Sequence, residues 1–189
     1  MLTDGGTNIG GAYCAFDGAG NITETAFFNP GIPCGYYSVQ TTGTVAMTFL
    51  FTGQSPSAFP GVFVSGQQVS FNPPTNSAQM SKILDPSKCQ GHWTGGLQPT
   101  AGSQKNVNFD VDGSGLISSF TGLTPNVVGR MLSDPSNRVS AFFRTGAGGS
   151  DPYNQVRVEG TLSNNVVSGV FYLDQGGNSP AGTVNLQRQ

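Results

Sequence analysis

The feature that most constrains how this chain can fold is a short sequence that occurs twice. Asp17-Gly18-Ala19-Gly20-Asn21-Ile22-Thr23 returns 95 positions later as Asp112-Gly113-Ser114-Gly115-Leu116-Ile117-Ser118. Similar residues keep returning at nearly the same spacing. Gly35-Tyr36 recurs as Gly129-Arg130 after 94 positions, Thr52-Gly53 as Thr145-Gly146 after 93, and Val62-Phe63-Val64-Ser65-Gly66 as Val156-Arg157-Val158-Glu159-Gly160 after 94. Trp93-Thr94-Gly95-Gly96-Leu97 and Gly182-Thr183-Val184-Asn185-Leu186, 89 apart, read as the closing strands of two copies. An ordered series of this kind implies an internal repeat of roughly 90 residues. The expected layout is a flexible N-terminal arm over 1–11, a first β repeat over 12–98 and a second over 99–189, as two domains or one.

The segments between these landmarks read as strands. Tyr13 to Phe16 and Ile22 to Phe28 flank the first Asp-Gly-x-Gly, where glycine supplies positive φ and the aspartate bonds the turn's own backbone. Tyr36 to Gln40 pairs with Thr44 to Thr52, Gln54 to Pro60 is a loop, and Val62 to Val64 pairs with Val69 to Phe71. Met80, Ile83 and Leu84 suit either a helical turn or, by the repeat, a strand. Gly91 to Leu97 ends the first copy and Gln98 to Ser103 is the linker. The second copy then runs Val107 to Val111, Leu116 to Phe120, Val127 to Leu132, Arg138 to Arg144, Gln155 to Leu162, Val166 to Leu173 and Thr183 to Leu186. Short strands at this spacing, with Gly-rich turns, predict an all-β fold: an antiparallel sandwich or barrel.

Composition then narrows the function classes. Only 10% of the 189 residues are charged and the net charge is -2, so the basic footprint of a nucleic-acid binder is missing. Low charge with 28 glycines could signal disorder, but 36% hydrophobic residues, 13 of them Phe, argue for a packed core. No apolar run is long enough for a transmembrane helix. Residues 1–6 carry neither the basic nor the apolar region of a signal peptide, which leaves a removed leader or a cytosolic protein. The neutral polar composition favours an extracellular or cell-surface setting. Three cysteines, Cys14, Cys34 and Cys89, leave at least one unpaired; Cys14–Cys34, Cys34–Cys89 and three reduced thiols all remain open.

No motif carries a strong chemical signature. Asp110-Val111-Asp112-Gly113-Ser114-Gly115-Leu116-Ile117 matches the start of a calcium-binding EF-hand loop, but Thr121 stands where the bidentate glutamate belongs. A hairpin turn explains the match better. His92, the one histidine, would have to serve any His-dependent mechanism. Neither a G-x-S-x-G elbow nor H-E-x-x-H accompanies it, and cysteine spacing gives no transition-metal set. Glu24 and Glu159 are the only glutamates, a thin basis for a paired-carboxylate glycosidase. Tyr36, Tyr37, Phe49, Phe51, Phe142, Phe143, Phe171 and Tyr172 either fill a core or line a ligand cavity, and core is the default. Asn21-Ile22-Thr23 is a formal glycosylation sequon.

Two resemblances follow from these residues. Phe16 to Thr23, Gly35 to Val39 and Gly43 to Val45 together resemble the opening of secreted bacterial β-meander proteins of unknown function. Gly91-His92-Trp93-Thr94-Gly95 resembles the Gly-x-Trp strand of calycin barrels such as lipocalins and avidins, which place it near the start of the barrel. The calycin likeness implies a cavity for a small apolar ligand and carries over no binding residues. The reading that results is a non-enzymatic extracellular or surface β protein, without cofactor or metal, that self-associates or adheres to other surface components. Its arm 1–11 or its tail 183–189 would serve as a donated strand. The alternative is a calycin-like barrel that binds a small apolar ligand or a glycan among its aromatics.

Overall fold

The computed structural model of the chain describes residues 2–4, 7–8, 14–16, 19–25, 35–49, 57–65, 68–71, 78–81, 83, 85–123, 127–145, 153, 155–173 and 179–189. The fold is all-β and divides into two compact units, Met1–Lys82 and Ile83–Gln189.

The first unit is a nine-stranded antiparallel sheet of β1 (Leu2–Asp4), β2 (Thr7–Asn8), β3 (Cys14–Phe16), β4 (Asn21–Thr25), β5 (Gly35–Val39), β6 (Thr44–Phe49), β7 (Ser57–Ser65), β8 (Gln68–Phe71) and β9 (Ala78–Ser81). Its order is β2-β1-β9-β8-β7-β6-β5-β4-β3. The segment expected to be a free arm thus supplies β1, which pairs with β9, and β2, which pairs with β1. The ambiguous stretch around Met80 is strand β9. The loop expected up to Pro60 ends earlier, because β7 begins at Ser57; Pro60 pairs with Ala46 of β6, while the ladder to β8 starts only at Gly61. A proline is tolerated there because no second neighbour needs its missing N–H.

The second unit is a closed eight-stranded antiparallel barrel of β10 (Gly91–Pro99), β11 (Lys105–Val111), β12 (Leu116–Thr121), β13 (Val127–Ser133), β14 (Arg138–Thr145), β15 (Gln155–Ser163), β16 (Val166–Leu173) and β17 (Gly182–Arg188). Each strand pairs with the next in sequence, and β10 pairs with both β11 and β17. This corrects the expected boundary at 98/99. Gln98 to Ser103 is the connection inside the β10–β11 hairpin, and the Gly-x-Trp strand opens the barrel where it was expected to end a repeat.

A single 3-10 turn, Pro86–Cys89, precedes β10. Asp85 accepts the Ser87 N–H at 3.0 Å and proline occupies the first turn, so the local sequence Asp-Pro-Ser encodes both start and cap. Trp93 Nε1 donates to the Cys89 carbonyl at 2.8 Å. From the last strand, Arg188 lies 5.5 Å from the Trp93 ring centre and donates to the carbonyls of Lys88 and Gln90 at 3.0 and 3.1 Å. The first strand, the last strand and the turn are thereby clasped at one end of the barrel.

Alternation decides which face each side chain takes. Trp93 and Leu97, Val107, Phe109 and Val111, Val139, Ala141 and Phe143, Val156 and Val158, and Val184 and Leu186 face inward and are buried. Phe109, Phe120 and Phe143 form a ring cluster with centres 5.1 to 5.4 Å apart. Tyr153 packs 6.4 Å from Phe171.

The two units share register over their early strands. Phe16↔Ile22, Ile22↔Gly35 and Gly35↔Phe49 in the first correspond to Val111↔Ile117, Ile117↔Gly129 and Gly129↔Phe143 in the second. Gly20 and Gly115 both have positive φ, and their carbonyls accept from Tyr37 and Met131 at 2.8 Å. Further along, the spacing changes: the β7–β8 turn at Ser65↔Gln68 matches the β15–β16 turn at Ser163↔Val166, so Val62 to Gly66 and Val156 to Gly160 are not equivalent in register.

Candidate functional site

The second Asp-Gly-x-Gly motif is a turn whose aspartate is spent on the turn itself, while Asp17 and Gly18 of the first lie outside the described residues. Asp112 Oδ1 accepts from the backbone N–H of Ser114 and Leu116 at 2.7 and 3.0 Å and from the Ser114 hydroxyl at 2.7 Å. The Ser114 bond, above all, holds the Asp112 carboxyl below its ordinary pKa. The same turn recurs at Asp134-Pro135-Ser136-Asn137-Arg138, where Oδ1 accepts from Ser136 and Arg138 N–H at 2.9 Å each. Asn137 there takes the positive φ that Gly115 takes in the first turn. Both are three-residue hairpin loops whose third residue is left-handed. The second carboxylate of the EF-hand match, Asp110, faces away from the turn, toward His92.

His92 Nδ1 and Asp110 Oδ1 are 2.7 Å apart, across paired positions of β10 and β11, with side chains 43% and 46% exposed. His92 first and the Ser119 hydroxyl second hold the Asp110 carboxyl below its ordinary pKa. Ser119 sits at φ 52, on the strand opposite a break in the β11–β12 register. Hydroxyl and imidazole are both bonded to the carboxylate, whereas a nucleophilic triad bonds the hydroxyl to the imidazole.

Glu24 and Glu159 fall on strands of different units. Glu159, 5% exposed, is bound to its own neighbourhood: Arg157 Nε lies 3.2 Å from Oε1 as an ion pair without the alignment of a hydrogen bond, and the Tyr172 hydroxyl donates to Oε2 at 3.5 Å. The Arg157 guanidinium stacks 4.1 Å from the Tyr172 ring centre. Burial, chiefly, raises the Tyr172 pKa.

Among the described residues, the aromatics singled out in the sequence do not gather around a cavity within either unit. Phe143 and Phe171 are barrel core, Phe142 and Tyr172 are buried at outward positions of their strands, and Tyr36 of the first unit is exposed. Phe51 and the side chain of Phe49 lie outside the described residues. Cys89 is a free, buried thiol, which removes the Cys34–Cys89 bridge; Cys34 lies outside the described residues.

What the sequence reading missed lies on the outside of the barrel. Because β10 is paired on both sides, three strands bring their outward residues into rows. Asn185, Gly96 and Asn106 form one row, and Gln187, Thr94 and Asn108 the next, which β12 extends with Thr121. All of these but Gln187, together with Thr183, Gln98 and Gln104, line an open groove of about 770 Å³. Among the described residues lining it, none is charged and none is aromatic. Gly96 gives the groove its floor: a Cβ there would come within 2.5 Å of the Gln104 side chain, which lies across the glycine and donates to Asn106 Oδ1 at 2.6 Å. Gln189 Nε2 donates to Thr94 Oγ1 at 3.1 Å, and Gln98 Nε2 to its own hairpin carbonyls. The side-chain amides of Asn108 and Asn185 make no hydrogen bond to another described residue. The His92–Asp110 pair is the next row along β10 and β11.

No protein-family model, curated protein or solved structure matches the chain.

Proposed function

We infer that the protein is a non-enzymatic adhesion module of an extracellular or cell surface, and that it makes contact through the groove face of its barrel. The observation that carries this reading is the pair of uncommitted amides, Asn108 and Asn185, on an outer face that is otherwise neutral hydroxyl and amide. Groups of this type bind by hydrogen bonds and repel no partner by charge. Contact through them is therefore insensitive to ionic strength, unlike contact through charged patches. A surface-retention assay tests this, with the protein passed over a hydroxylated surface and over a layer of itself at low and at high salt. Retention on either that is unchanged by salt and lost in the Asn108→Ala/Asn185→Ala variant supports the reading; retention that vanishes with salt, or that survives the double substitution, rejects it.

Self-association by strand addition is a second reading, with its own support in the first unit. That sheet ends in β2 and β3, each with one neighbour among the described residues, whereas the barrel has no edge. The tail 183–189 is not a spare strand, since β17 is paired on both sides, and Leu2–Asp4 is committed to β9. The edges are two and three residues long and β3 is bulged against β4, features that blunt an edge. The groove is therefore preferred. An apolar ligand inside the barrel has less support still, because the inward positions are occupied by mutually packed rings and branched side chains.

A further inference from the structure

We propose that the groove over β17, β10, β11 and β12 is a binding site for a neutral oligosaccharide, held by side-chain amides without ring stacking. This rests on the contact reading above and names the ligand of the same face.

The chemistry of the lining selects the class. An asparagine amide offers two N–H donors and a carbonyl acceptor, and a sugar hydroxyl both donates and accepts, so one amide can satisfy two neighbouring hydroxyls. Asn108 lies opposite Thr94, and Asn185 lies opposite Gly96 on the other side of β10. The two amides are thus two strands apart and displaced by one row, a span of about 12 Å at ordinary strand spacings. That span suits a ligand longer than one sugar ring, lying obliquely across β10. The missing side chain at Gly96 lets Gln104 lie across the strand there, where its bond to Asn106 holds a third amide on the groove floor between the two asparagines.

Other ligand classes fit less well. Phosphate, sulfate and carboxylate groups call for Arg or Lys, and none lines the groove. A nucleic acid needs a basic track. A lipid needs apolar walls. A peptide strand needs an open sheet edge, and β10 and β11 are each paired on both sides.

The test is an amide-detected NMR titration of the full chain with cellohexaose, maltohexaose, mannohexaose and, as the charged control, hexagalacturonate. The expected result is saturable movement of the Asn108 and Asn185 side-chain NH₂ signals with at least one neutral hexasaccharide. Affinity should fall about tenfold for each asparagine replaced by alanine, and hexagalacturonate should bind at least tenfold more weakly. Equal or tighter binding of hexagalacturonate, or movement confined to residues away from the groove, overturns the proposal. If no sugar moves these signals but they shift and broaden with protein concentration, the oligosaccharide is wrong and the contact reading survives with a second copy as partner. If neither sugar nor concentration moves them, and surface retention is absent, both fail.

Discussion

Replacing Asp134 by alanine should be among the most damaging single changes at a hairpin tip of the barrel. Its side chain is 1% exposed and accepts three hydrogen bonds, from the N–H of Ser136 and Arg138 on Oδ1 at 2.9 Å and from Arg138 Nε on Oδ2 at 2.7 Å, while Arg138 Nη2 completes the ion pair at 2.7 Å from Oδ2. Breaking a buried ion pair costs about 3–5 kcal/mol when the remaining partner is stranded. Arg138 is 38% exposed and can turn to water, which discounts that figure. The two backbone N–H groups lose charge-assisted bonds but are close to solvent. The net expectation is about 3 kcal/mol, or a fall in Tm of roughly 15 °C for a unit of about a hundred residues. Trp93 is the only tryptophan and is wholly buried in the barrel, so its fluorescence follows unfolding of this unit. Asp134→Asn keeps an oxygen for the turn and loses the ion pair, and should cost about half as much as the alanine. A loss below about 1 kcal/mol for the alanine variant would refute the claim that the carboxylate holds the turn; equal losses for alanine and asparagine would shift the whole effect to Arg138.

Three further outcomes are expected. Gly115→Ala places a Cβ 2.5 Å from Leu132 Cδ2 and 2.9 Å from the Met131 carbonyl at φ 83, and should cost about 2 kcal/mol in urea unfolding followed by Trp93; a neutral result would show that the turn can relax. Burial pushes the Cys89 thiol from 9.0 up to about 11, so the folded chain holds a proton that the unfolded chain has released. The associated stability is intact below pH 9 and lost as pH rises to about 11, about 3 kcal/mol in all. Cys89→Ala should lack that decline, and parallel pH profiles for the two proteins would contradict it. Gly96→Val fills the groove floor against a movable glutamine, so it should abolish surface retention while changing the barrel's stability by less than about 1 kcal/mol; retained binding would place the contact elsewhere.

The hairpin tips were legible because their chemistry is local: an aspartate, a residue able to take positive φ three positions on, and polar residues between. The barrel strands from Val107 to Leu186 were legible for the same reason, through alternation of branched and polar side chains. The boundary was not. Trp93 to Leu97 and Gly182 to Leu186 look alike because they lie side by side in one closed ladder, and sequence spacing cannot distinguish neighbours in one barrel from counterparts in two repeats. The shift at Ser163, where the register departs from a constant offset, likewise reflects connection lengths that differ between the units. The groove was hidden most deeply. Asn108, Thr94 and Asn185 each look like ordinary wet positions on a strand, and only the pairing of β10 with both β11 and the distant β17 brings them to one surface.

The way the barrel closes also sets how it would carry load. Trp93 near the start of β10 is paired with Arg188 at the end of β17, so the two ends of this unit leave from the same rim. Tension on them does not drag one strand lengthwise past the other; it parts the seam one bond after another, beginning at the rim. The first catch to give is the Arg188 guanidinium, on Lys88 and Gln90, and only then do the rows of the groove come apart. A barrel closed this way resists shear along the seam and yields to peeling.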